Sequence, residues 1–208
     1  MPNLTLGGFR LYYAPPGFPI FKKELASGYG TAVGIGDPVA LLSDGTVAVL
    51  ANGASGTTTD PYGVVTGCWY TRSGDSRPSP AIMIPASTTF TPTTVGSVQA
   101  SYVEVCPAVP GVTFFEVDAD DGTTATTVAA HLGLVGGNAD TTTGTPDSVR
   151  GSTYALDIST AATTESEVWR IVDLVRYSSD DYTASRIKYI VTANHSGWPS
   201  AATNRVGI

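Results

Sequence analysis

"GDPVALLSDGTVAVL", residues 36–50, is the stretch from which the fold can be read. Two apolar runs, Val39–Leu42 and Thr46–Leu50, meet at Ser43-Asp44-Gly45. Asp-Gly between apolar runs is a strong hairpin signal, because the tight turns that match strand twist need residues that tolerate positive φ. Runs of the same kind continue outward from it. Val64–Thr71 reads as a strand, and Ala81–Ile84 is a short one whose flanking prolines suit a sheet edge. Ser97–Cys106 sets Val103 and Val105 against Tyr102, Glu104 and Cys106, and Val112–Val117 follows the Pro110-Gly111 turn. Further on, Tyr154, Leu156 and Ile158 alternate with Ala155 and Asp157. Within Arg186–Thr192, Ile187, Tyr189 and Val191 share a face.

Val168–Val175 admits two readings. Thr164 and Glu167 fit a capping box, and Val168, Ile171, Val172 and Val175 fit a helical period. β-branched residues and Trp169 dominate the run, which favours a strand. "TTATTVAAHLGLVGG", residues 123–137, places Val128, Leu132 and Val135 at helical spacing before a Gly136-Gly137 stop, so one short helix is expected there. "NADTTTGTPDSVRG", residues 138–151, reads as a long polar loop. Nine or ten short strands at regular spacing make an all-β chain, a barrel or sandwich, with one short helix and extended terminal arms. The expected divisions are an N-terminal arm and lead-in over 1–35, β-rich lobes over 36–110 and 111–197, and a tail over 198–208.

Composition agrees with a packed β protein. Of 208 residues 42% are hydrophobic and only 14% charged, which supports a core and excludes wholesale disorder. The net charge of −7 disfavours nucleic acid and anionic membranes as partners, since phosphate recognition needs clustered Lys and Arg. That charge is uneven. Residues 1–35 hold Arg10, Lys22 and Lys23 against Glu24, a net +2, which leaves −9 for the remainder. Neither a signal-peptide pattern nor an apolar run of membrane-spanning length is present, so a cytosolic origin is expected. Cys68 and Cys106 lie in no Cys-x-x-Cys and are expected to be buried, reduced thiols.

"GFRLYYAPPGFPIF", residues 8–21, poses a separate problem. Its aromatics need apolar cover, while Pro15, Pro16 and Pro19 interrupt both helix and central strand. The segment is either an arm that docks on other chains or the first strand of its own barrel.

The chain carries few motifs that bear chemistry. Gly28, Gly30, Gly34 and Gly36 precede a hairpin and do not open a helix, so they make no dinucleotide fingerprint. Asp118–Gly122, "DADDG", puts Gly where a calcium loop needs its fifth-position ligand and lacks the later Glu; an acidic turn is expected. No Gly-x-Ser-x-Gly elbow occurs. His131 and His195 have no metal-ligand spacing and are expected to be packed or at the surface. Glu165, Glu167, Asp180 and Asp181 read as solvated carboxylates. Trp69, Trp169 and Trp198 offer either packing or a sugar platform. The expectation is a non-enzyme without cofactor or metal.

"GDPVALLSDGTVAVL", "GVVTGCWY", "GVTFFEVDADDG" and "VWRIVDLVRYSSDDYTASRIKYIVTANHSGW" together resemble phage head decoration proteins, also called capsid cement proteins. The resemblance covers most of residues 36–198. It implies a β-barrel or sandwich module on the outside of an assembled capsid, assembled in the bacterial host cytoplasm, commonly a homotrimer, with the major capsid protein as partner. It implies no catalytic residues. On that reading Phe9, Leu11, Tyr12, Tyr13, Phe18 and Phe21 are the expected aromatic and aliphatic anchors of the capsid or inter-subunit contact. Arg10, Lys22 and Lys23 are expected to complement an acidic partner surface. The alternative function is a carbohydrate-binding β-module of a tail or cell surface that uses Trp198, Trp69 or Tyr residues.

Overall fold

The computed structural model describes residues 7–25, 29–50, 60–72, 77–86, 101–120, 125–142, 144–163, 167–176 and 187–195. Over these the chain is all-β, with fourteen strands and one short helix. The hairpin read from the sequence is β4 (Pro38–Leu41) and β5 (Val47–Val49), in register Val39↔Val49 and Leu41↔Val47. Gly45 turns it at φ +85°, and the Asp44 carboxylate accepts hydrogen bonds from the Thr46 amide and hydroxyl. Each residue of the Asp-Gly-Thr run therefore has a defined task in the turn.

Two antiparallel sheets carry the fold. The first runs β2 (Phe21–Glu24), β9 (Tyr102–Pro107), β6 (Gly63–Tyr70), β4, β5, with β7 (Ser79–Ala81) added beside β6. A parallel bridge from Leu25 to Val47 brings the end of β2 alongside β5, so this sheet curls towards a barrel. Leu25, Val33, Val39, Val47, Val65, Val103 and Val105 are among the buried residues of its core.

The second sheet runs β1 (Arg10–Tyr13), β10 (Phe114–Asp118), β14 (Lys188–Ala193), β13 (Trp169–Leu174), β11 (Asn138–Thr141), β12 (Leu156–Ala162). Ala119, just past β10, bridges to Leu156 of β12, so this sheet also curls back on itself. Its apolar residues, Trp169 and Tyr189 the largest, form a core that also takes in Ala40, Leu50, Val64, Cys106 and Ala108 from the first sheet. Alternate residues of β4 and β6 thus serve different cores: Val39 and Val65 the first, Ala40 and Val64 the second. A two-stranded ladder, β3 (Val33–Gly34) with β8 (Met83–Ile84), completes the strands.

Several expectations need correction. The segment taken as an N-terminal arm supplies one strand to each sheet: β1 pairs with β10, and β2 pairs with β9 through Phe21↔Val105 and Lys23↔Val103. Extended backbone with prolines confined to the connection satisfies the ladder as well as an arm would. Asn138–Thr141, read as loop, is a strand between β12 and β13; its polar letters hide buried positions at Ala139 and Thr141. The strand Ala81–Ile84 is split at Ile82 into β7 and β8.

Helix α1 (Val128–Gly133) exists, with Thr127 Oγ1 capping the Ala130 amide, but it is rotated from the expected face. Val128 and Leu132 are exposed while His131 is buried. His131 Nδ1 lies 2.6 Å from the Tyr189 hydroxyl, so the inward face of α1 carries a polar contact that the apolar spacing did not signal. The strand reading of Val168–Val175 is the observed one. Ser97–Ala100, Thr164–Ser166 and Trp198 lie outside the described residues.

Candidate interaction surface

The nine residues expected at a contact fall into four groups. Phe9 belongs to the interior. It is 1% exposed, and its ring stacks on Trp169 at 4.6 Å with Phe115 edge-on to the same tryptophan. It is an intrachain anchor and cannot touch a partner.

Arg10, Lys22 and Lys23 are already engaged within the chain. Arg10 meets Glu116 at 2.6 Å, and Lys188 meets the same carboxylate at 3.1 Å. Arg10↔Glu116 is also a register pair of β1 and β10, so the ion pair reinforces the ladder where the N-terminal segment is held. Lys22 lies 4.8 Å from the Tyr102 ring centre, and Lys23 lies 5.3 Å from that of Tyr62 while reaching the Gly45 carbonyl. These cation–π contacts hold β2 against the first sheet. Lys22 alone of the three is exposed.

Leu11, Tyr12, Tyr13 and Phe18 do come together. They line one concavity of about 390 Å³ with Ala14, Pro15, Gly17, Ile20 and Cys106. The lining is uncharged. Leu11 is 42%, Tyr12 52%, Tyr13 51% and Ile20 52% exposed, values far above those of the core. Phe18 supports the connection from below by packing on the larger core, and a Phe18 amide to Pro15 carbonyl hydrogen bond closes its turn. Phe21 does not line the concavity and is partly buried against the smaller core.

Local sequence explains this presentation. The register of β1 shifts between Leu11 and Tyr13, and such irregularity re-aims side chains. The prolines that follow stop the strand. With β1 and β2 fixed in different sheets, the connection runs between them with Phe18 packed inward and Ile20 exposed. No other strand pairs with the free side of β1 among the described residues. Ile20 was not singled out from the sequence; its place between Pro19 and Phe21, opposite in parity to a residue that packs inward, was the available signal.

Of the other chemistry-bearing residues, His131 is buried with Nδ1 2.6 Å from the Tyr189 hydroxyl, and burial lowers its pKa. Both thiols are buried. Burial pushes Cys68 up to about 12 and Cys106 to about 11, away from thiolate chemistry. Of the run Asp118–Gly122, Asp118 ends β10 in register with Lys188 of β14 and Asp120 accepts from the Ile158 amide, while Asp121 and Gly122 lie outside the described residues. Trp169 is core, while Trp69 stacks on Tyr102 at 5.7 Å. No group of three potential metal ligands occurs among the described residues, and no helix there is long and apolar enough to cross a membrane.

None of the family models, curated proteins or solved structures compared with the chain matches it.

Proposed function

We propose that the chain is a structural decoration protein of a tailed-phage head, which binds the outside of the assembled major-capsid lattice and stabilises it. The resemblance of its strand motifs to capsid cement proteins supplies the class. The observation that carries the reading is the ridge of Leu11, Tyr12, Tyr13 and Ile20, four large side chains left in water on a backbone pinned into two sheets. Exposed apolar patches of this kind mark interaction sites, and tyrosine is prominent among interface hot spots. Pre-ordering of the segment lowers the entropy lost on docking.

A homotrimer is the proposed assembly, since cyclic symmetry presents several ridges to one lattice and weak contacts then add through avidity. The carbohydrate-binding alternative would use Trp198, which lies outside the described residues, or Trp69, whose ring stacks on Tyr102.

Heating particles assembled with and without the protein tests the function. Complete particles are expected to retain DNA to a higher temperature; equal rupture temperatures would refute stabilisation. Sedimentation at micromolar concentration tests the trimer, which a monomer would overturn.

A further inference from the structure

Three segments meet at the seam between the sheets. The Phe9 amide donates to the Gly36 carbonyl at 2.9 Å, and the Ser152 amide donates to the Ile35 carbonyl at 2.9 Å. Gly36 also donates to Val65 of β6 at 2.8 Å. The approach is close enough that a Cβ on Gly36, whose φ is +95°, would lie 3.0 Å from the Gly7 carbonyl oxygen and 3.1 Å from the Ser152 side chain.

Inside this seam sits Asp37, fully buried. Its Oδ2 accepts from the Gly34 amide at 2.8 Å, and Ser152 lends hydroxyl support. Oδ1 has no hydrogen-bond partner among the described residues. The titratable groups that act on it from the packed elements are Tyr29 ahead of β3, Cys68 on β6 and Tyr154 ahead of β12. All three have pKa values raised by burial, so they stay neutral and offer no positive charge. No Lys, Arg or His pairs with Asp37 among the described residues. A buried carboxylate without a cation is costly when ionised and cheap when protonated.

We propose that Asp37 is a proton-operated latch on the seam: protonated, it lets the Gly7–Phe9, Gly34–Asp37 and Gly151–Ser152 segments close tightly; ionised, it places an uncompensated charge between them and loosens them. Desolvation first, and hydrogen bonds only partly against it, take the carboxyl from an ordinary 3.8 to about 6. A carboxyl raised in the folded state contributes stability that is full below its unfolded value and is lost as pH rises through its folded value. The window therefore runs from about pH 4 to about pH 6, and the unfolding constant should shift by roughly a hundredfold across it from this group alone. His131 works in the opposite sense: its lowered value costs stability as pH falls below its ordinary 6.5. The latch must therefore be read as a difference between proteins.

Urea unfolding of the wild type and Asp37→Asn across pH 4–8 supplies that difference. The wild type is expected to lose stability relative to the variant as pH rises from 4 to 6, with no further divergence above. Parallel pH profiles would overturn the proposal. Carboxyl-carbon NMR titration of Asp37 in the wild type gives an independent reading even if the variant fails to fold. A midpoint near 6 supports the latch, and a midpoint at or below the ordinary aspartate value overturns it. Hydrogen exchange of the Phe9 and Ser152 amides, corrected for intrinsic rate, should be slower at pH 5 than at pH 7.5; equal protection refutes the loosening.

Discussion

Replacing Phe9 by alanine separates an anchored segment from a free arm. The phenyl ring is 1% exposed, stacks on Trp169 at 4.6 Å and shares that tryptophan with Phe115. Its removal opens a cavity lined by rigid rings on strands that cannot easily move inward. Phe→Ala at such a site costs about 3–5 kcal/mol, the lost transfer energy and the unfilled volume together. The upper half of that range is expected, because the stacked partner also loses its aromatic contact. For a chain of this size each kcal/mol lowers Tm by roughly 2–4 °C, so a fall on the order of 10 °C or more should appear in calorimetry. Tyr12→Ala and Tyr13→Ala, about half exposed, serve as internal controls and should each cost less than about 1 kcal/mol. A loss under about 1 kcal/mol for Phe9→Ala, equal to that of the tyrosines, would show that residues 8–21 do not belong to the core. Deletion of residues 1–25 should accordingly unfold the chain, since it removes a strand from each sheet.

Other expected outcomes follow from the same structure. Glu116→Gln leaves Arg10 and Lys188 without their shared carboxylate and should destabilise by about 1–3 kcal/mol, less than a fully buried pair because Arg10 is partly in water; urea unfolding with Arg10→Gln as the second arm of a double-mutant cycle checks it. His131→Leu should cost about 1–3 kcal/mol by stranding the Tyr189 hydroxyl, and adding Tyr189→Phe should recover much of that loss in the same assay. Cys68 and Cys106 should resist an aromatic disulfide reagent at neutral pH and react only as the chain unfolds; rapid modification of either in the native state would contradict their burial.

The parts of the fold legible in the sequence were those whose physics is local. Asp44-Gly45 specified its hairpin because turn chemistry is carried by the turn residues themselves. Tyr154, Leu156 and Ile158, and likewise Ile187, Tyr189 and Val191, revealed buried faces because side-chain alternation follows from strand geometry. The illegible parts depended on distant partners. β11 looks polar and is a strand only because β12 and β13 flank it. The inward face of α1 carries His131, which meets a tyrosine 58 residues away. In the candidate surface, the apolar character of residues 8–21 was plain, but which side chains face inward was not. Phe9 and Tyr12 are both aromatic and three residues apart; only the pairing of β1 with β10 and the irregularity after Leu11 place one in the core and the other in water. The place of Arg10 was hidden for a related reason: Glu116, whose carboxylate it meets, is 106 residues away.

The most direct test of the central claim is the binding of purified protein to phage shells assembled without it. Occupancy would be measured by sedimentation for the wild type and for Tyr12→Ser combined with Tyr13→Ser, with a matching unfolding curve for each. The wild type should saturate the shell at a fixed stoichiometry set by lattice symmetry. The double variant should fold normally and lose binding at least tenfold, since it keeps Phe9, both strands and the ion triad and loses only the exposed rings. Full, undiminished occupancy by the variant, or no saturable binding of the wild type to any shell, would contradict the account.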